Sequence, residues 1–142
     1  MIDIDKETGI VRLHQSFVKK IDQATELEEL ERMLPNWEQT DWKDGRSSLK
    51  FEIQNRQSDE TLHLLLLFVK SKLTSIDIFF TAQPIDDSSR RWSKAREKRR
   101  KNYHDSLFSS VLGKHQWGSV QSVFGEKEGY SFVRLEYADL ST

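Results

Sequence analysis

The sequence contains no cysteine. That absence excludes disulfide staples, thiolate zinc sites, iron–sulfur clusters and thiol redox chemistry, and it points to the cytoplasm as the compartment. Glycine occurs only six times and proline twice. Gly9, Gly45, Gly113, Gly118, Gly125 and Gly129 are isolated or sit in hairpin loops, so none builds the phosphate cradle of a P-loop or a dinucleotide-binding turn. Long apolar runs are missing as well. Leu62 to Val69 is interrupted by His63 and is far too short to span a bilayer, and the opening MIDIDKETGI lacks the basic and apolar segments of a signal peptide. The expectation is a protein with no membrane contact.

Clustered metal ligands are equally scarce. His14, His63, His104 and His115 share no spacing on one element that lets two of them grip an ion. His104 and Asp105 are neighbours in a helical segment and point about 100° apart, which excludes the mutual orientation of a catalytic dyad. Neither a metal nor any other cofactor is expected. Carboxylates are plentiful, but Asp3, Asp5, Glu28 and Glu52 alternate with apolar neighbours and read as a solvated face.

What is present fits a single α+β domain over residues 1–142. Charged residues make up 32% of the chain, yet four tryptophans and eight phenylalanines supply large core pieces. Ile2 and Ile4 alternate with Asp3 and Asp5, a turn closes at Gly9, and Ile10 to His14 resume the extended pattern, predicting a hairpin. Thr25 and Glu28 match a capping box ahead of Leu27, Leu30, Met33 and Leu34, a short helix that Pro35 ends. Leu49, Phe51 and Ile53 alternate with polar residues as a strand with one wet face. Thr61 to Val69 is apolar on both parities, as in a central strand covered on both faces, and Ser75 to Thr81 completes an antiparallel meander.

A long helix is predicted from a cap at Ser88 or Ser89 to about Leu112, ended by Gly113. Its buried side is assigned to Trp92, Ala95, Tyr103, Leu107, Phe108 and Val111, with the charged middle overhanging the core. Trp117 starts the final hairpin, Val120 to Phe124 and Tyr130 to Tyr137. The resulting order is ββα-βββ-α-ββ, an antiparallel sheet of about six or seven strands packed by one long and one short helix.

A net charge of −1 conceals strong patterning. Acidic residues crowd positions 22–60, whereas Arg90, Arg91, Lys94, Lys98, Arg100 and Lys101 fall close together with Arg96 and Arg99, and Glu97 alone offsets them. Such a cluster meets an acidic protein surface, neutralises phosphates, or is a solvated face. A pI near 6.4 weighs against nucleic acid. Trp37 and Trp42, set in a polar stretch, are either plugs under a loop or exposed anchors of a binding surface. These eight residues, six cationic and two aromatic, are the partner-binding candidates.

From Arg91-Trp92-Ser93 through Tyr103-His104-Asp105, Leu112-Gly113 and Trp117-Gly118-Ser119-Val120 to Gly129-Tyr130-Ser131-Phe132-Val133, the chain resembles a group of small uncharacterised bacterial α+β proteins. These resemble stand-alone toxin-immunity or accessory proteins, and the resemblance lies mainly in the C-terminal third. It implies a binder that neutralises a partner protein rather than an enzyme, and it brings no active-site residue with it. The leading expectation is therefore a non-enzymatic protein-binding domain of the immunity type, cytoplasmic and bacterial. Two alternatives remain: a nucleic-acid-associated protein using helix 90–101, and a small hydrolase whose carboxylates converge only in the fold.

Overall fold

The computed structural model describes residues 2–14, 16, 18–33, 38–41, 44–55, 57, 59–81, 93–125 and 130–138. Alternating apolar residues build its centre. Strands β5 (Arg46–Asn55), β6 (Glu60–Val69) and β7 (Lys72–Thr81) form the predicted antiparallel meander. Its register sets Leu49 opposite Leu66 and Leu66 opposite Ile76, while Leu62 faces Phe80 and Leu64 faces Ile78. Because side chains alternate across a strand, this register gathers Leu49, Phe51, Ile53, Leu62, Leu64, Leu66, Phe68, Ile76, Ile78 and Phe80 on one buried face.

The sheet continues beyond β7 through β10 (Phe132–Tyr137), β9 (Gly118–Val123) and β8 (Gly113–His115), and β4 (Glu38–Asp41) adds the other edge. Its order is β4-β5-β6-β7-β10-β9-β8, all antiparallel. The final hairpin, β9 with β10, is as the alternation predicts, with Val133 and Leu135 carrying the buried face onward. Three short strands were not evident from the sequence: β3 (Lys20–Ile21), β4 and β8. At two to four residues each, they are too short for a period of two to declare itself.

The predicted first hairpin, β1 (Ile2–Ile4) with β2 (Val11–Leu13), joins β3 in a separate three-stranded sheet. Ile4, Val11, Leu13 and Ile21 face the same core as the large sheet. The join is specific. The Trp117 indole N–H donates to the Lys6 carbonyl at 2.8 Å and the Tyr137 hydroxyl donates to the Gly9 carbonyl at 2.9 Å. Gly9 has φ +74°, and a Cβ there would lie 2.4 Å from Cε3 of Trp117, so the position demands glycine both for conformation and for space. Trp117 itself lies in the β8–β9 turn, buried under the first hairpin.

Helix α1 (Leu27–Met33) buries Leu30. The Thr25 hydroxyl turns back to accept the Asp22 amide N–H at 2.9 Å, so it serves the loop before the helix rather than the expected capping box. Leu30 of α1 and the apolar side chains of the small sheet share one core with the buried face of the large sheet, and α2 (Lys94–Leu107) packs on β7, β9 and β10. On the other face of the large sheet His63, Leu65, Leu67 and Val69 are only half-buried, which corrects the expectation of a strand covered on both sides. Cross-strand pairs line this face instead: the His63 ring stacks on Phe79 at 4.4 Å, and Arg134 grips Asp77 through two bonds of 2.8 and 3.0 Å.

Candidate functional site

The basic cluster lies on α2 (Lys94–Leu107), which differs from the sequence expectation at both ends and in the side it buries. Ser93 caps it, its hydroxyl accepting the Arg96 amide N–H at 3.3 Å. The proposed caps Ser88 and Ser89, the residue Trp92 and the candidates Arg90, Arg91, Trp37 and Trp42 lie outside the described residues. The helix stops at Leu107 rather than near Leu112, and Phe108 and Val111 are buried in the turn that follows. Gly113, with φ +119°, opens β8.

Apolar residues do not define the inner side of α2. Ala95 is exposed and Leu107 is 47% exposed, while Tyr103 is half-buried with its hydroxyl donating to Glu60 at 2.9 Å. Burial and that carboxylate push the Tyr103 phenol up to about 12. The buried side is polar: Glu97, Arg100 and His104 are each 3% exposed or less. Their spacing, three and then four residues, puts them in one row. The expectation that this charged middle overhangs the core is thus reversed.

The reason lies in the sheet. Strands β7 and β10 are paired from Ser75–Glu136 to Ile78–Val133 and no further. Beyond that point Phe80 on β7 and Ser131, just before β10, present buried backbone groups, and an unpaired one costs about 1–3 kcal/mol. Row residues of α2 complete the ladder. The Arg100 guanidinium donates to the Phe80 carbonyl, and the His104 ring accepts the Phe80 amide N–H at 3.1 Å. Glu97 Oε1 accepts the Ser131 amide N–H, and the Ser131 hydroxyl donates to the Glu97 carbonyl at 2.8 Å. Glu97 and Arg100 also pair at 3.2 Å, so each buried charge has its opposite.

His104 is correspondingly neutral. Burial, with Arg100 and Lys101 adding to it and Asp105 opposing, lowers its pKa to about 4. Because Nε2 accepts, the proton resides on Nδ1. These roles are architectural. Arg100 is therefore withdrawn from the surface candidates, since its fork is taken up inside the protein.

Lys94 and Lys98 are exposed, and Lys101 continues their flank at helical spacing, where it pairs with Asp105 at 2.8 Å. The outward crest carries Ala95, Asn102 and Ser106, all exposed, with exposed Arg99 on its far slope. Sequence reasoning found the cationic residues but missed Glu97 and His104. Their row is free of lysine, but so is the exposed row Ala95, Arg99, Asn102 and Ser106, so no local signal singled it out.

The chain matches no family model and no curated protein by sequence. A solved structure does match. It is a chain from the structure of Rhs1-CT in complex with cognate immunity protein RhsI1, and it matches at 17% identity and a TM-score of 0.58 over 96% of this chain and 87% of that one. The likeness is one of fold.

Other features give the surface little chemistry. A hollow of about 330 Å³ lies between β3 and α1, lined by Val18, Lys19, Lys20, Asp22, Leu30 and Met33 among others, with Lys20 and Asp22 3.6 Å apart. Among the described residues no three His, Asp or Glu side chains gather as a metal site, and no helix is long and apolar enough to cross a membrane.

Proposed function

We propose that this chain is a non-enzymatic, immunity-type protein that binds a partner protein and neutralises it in the bacterial cytoplasm. The observation that carries this reading is the likeness in fold, across nearly the whole chain, to a structure in which an immunity protein is bound to its cognate Rhs1-CT. The division of α2 agrees with it. A helix whose inner row bonds to the sheet leaves Lys94 and Lys98 exposed to solvent, as suits electrostatically steered recognition.

The test is co-expression with the product of the adjacent gene. The reading expects that product to arrest growth when expressed alone, and this chain to restore growth and co-elute with it as a stoichiometric complex. Growth arrest without rescue, together with separate elution of the two proteins, counts against it.

A further inference from the structure

We infer that the open edge of β1 (Ile2–Ile4) is a docking strand for an extended segment of a partner protein in which apolar residues flank a basic one. The inference rests on the protein-binding reading above and adds to it the surface and the chemistry of the partner's segment.

Hydrogen-bond phase decides which groups are open. The small sheet runs β1-β2-β3, so β1 is an edge. The Leu13 amide N–H donates to the Lys19 carbonyl at 2.9 Å, and the Asp5 amide N–H donates to the Ile10 carbonyl at 2.9 Å. In an antiparallel ladder, directly opposite residues alternate between bonded and non-bonded pairs. Asp3 therefore exchanges bonds with Arg12, its register partner, and the N–H and C=O groups of Ile2 and Ile4 point away from β2. Among the described residues no strand pairs with this side and no backbone group bonds to these four. The side chains give the edge two characters. Ile2 and Ile4 face the core, whereas exposed Asp3 lies on the opposite face, across from exposed Arg12.

The other three edges are guarded in ways that β1 is not. Exposed Lys20 holds the outward position of β3, and the next outward N–H groups, those of Val18 and Asp22, are taken by the Ser16 and Thr25 hydroxyls at 3.1 and 2.9 Å. Exposed Lys114 sits between the two end residues of β8, and edge lysines discourage pairing. β4 has no apolar side chain for an added strand to join.

Asp3 chooses the occupant of β1. A second copy that used all four open groups in an antiparallel pair would set Ile2 opposite Ile4 and Asp3 opposite Asp3, with Cα atoms about 4.5 Å apart. Like charges directly opposite are destabilising, so self-pairing is disfavoured. A segment of another protein with Lys or Arg at that position instead continues a row of alternating charge from Arg12 through Asp3. Its apolar neighbours extend the face that Ile2 and Ile4 turn to the core, and its backbone takes up their open groups.

The test titrates the full chain with acetyl-Thr-Val-Lys-Val-Thr-amide and with acetyl-Thr-Val-Glu-Val-Thr-amide, followed by amide NMR, and measures amide hydrogen exchange with the adjacent gene's product. Shifts are expected at residues 2–4, with the lysine peptide bound about threefold to tenfold more tightly than the glutamate peptide. Asp3→Ser is expected to bind the two equally. Ile2→Pro removes one outward donor, leaves the bonds to β2 in place, and is expected to lose both peptides. No shifts at residues 2–4, an equal response of the wild type to the two peptides, or a preference that survives in Asp3→Ser overturns the inference. With the adjacent gene's product, the Ile2 and Ile4 amides are expected to exchange about tenfold more slowly. A complex that leaves their exchange unchanged keeps the immunity reading and removes the edge assignment. If that product does not bind, yet the lysine peptide docks at residues 2–4 with a preference set by Asp3, the edge stands and the immunity reading falls.

Discussion

His104 Nε2 accepts the backbone N–H of Phe80 across 3.1 Å, in a site where the imidazole has no exposure to solvent. The bond requires an unprotonated nitrogen, so the fold holds this ring neutral, with its pKa lowered from 6.5 to about 4. Between those values the unfolded chain binds a proton that the folded chain refuses. Stability is therefore expected to be full above about pH 6.5 and to fall as pH drops toward 4, by roughly 3 kcal/mol in total from this group. Urea unfolding at a series of pH values measures the slope. His104→Gln, which keeps an acceptor and removes the titration, is expected to flatten it.

Arg100 and Lys98 are two residues apart and give opposite expectations. Arg100→Met leaves the buried Glu97 carboxylate with only Arg96, 3.5 Å away, and takes the Arg100 donor from the Phe80 carbonyl. The expected loss is about 3–5 kcal/mol. Lys98→Met removes only an exposed charge and is expected to change stability by less than about 0.5 kcal/mol. Denaturant midpoints of the two variants, measured side by side, distinguish a structural cation from a surface one. Equal effects would show that the row on α2 does not hold the strands as described.

Gly9→Ala tests the joint between the small and large sheets. The substitution puts a Cβ in a left-handed backbone position and against the Trp117 ring at 2.4 Å. Conformational strain and overpacking together are expected to cost about 2–4 kcal/mol. Thermal melting reads the loss, and Trp117 fluorescence is expected to shift as the indole gives up its bond to Lys6.

A gain is expected at the β6–β7 turn. Val69 pairs with Lys72, so Lys70 and Ser71 form a two-residue loop, and both have positive φ, at 50° and 69°. Such turns favour Asn-Gly. Ser71→Gly is expected to stabilise the protein by about 0.5–1 kcal/mol, since glycine adopts the left-handed region without steric cost. A melting temperature raised by a few degrees is the check, and a lowered one would contradict the assignment of this turn.

Local patterns in the chain announce the strands well. The alternation in 49–53 and 75–81, on either side of the apolar run 61–69, identifies the meander because burial on one face of a strand leaves a period of two that any short window reveals. Trp117 and Gly9 were legible only as a bulky residue and a turn residue. Their contact joins segments 108 positions apart, and no local pattern records it.

The helix shows the same division most sharply. By itself the sequence determined that a densely cationic helix lies within 88–112, because propensity is a property of neighbouring residues, but it did not place the cap at Ser93 or the end at Leu107. It also determined the α+β class, from the order of alternating and helical segments. Only the tertiary structure decided which side of α2 is inside. That choice follows from the separation of β7 and β10, which leaves backbone groups of Phe80 and Ser131 in need of partners. Glu97, Arg100 and His104 supply them from 20 to 34 residues away, so polar residues that a hydrophobicity pattern sends to the surface are drawn into the core. With those three inside, Lys94 and Lys98 are left on the side that faces solvent.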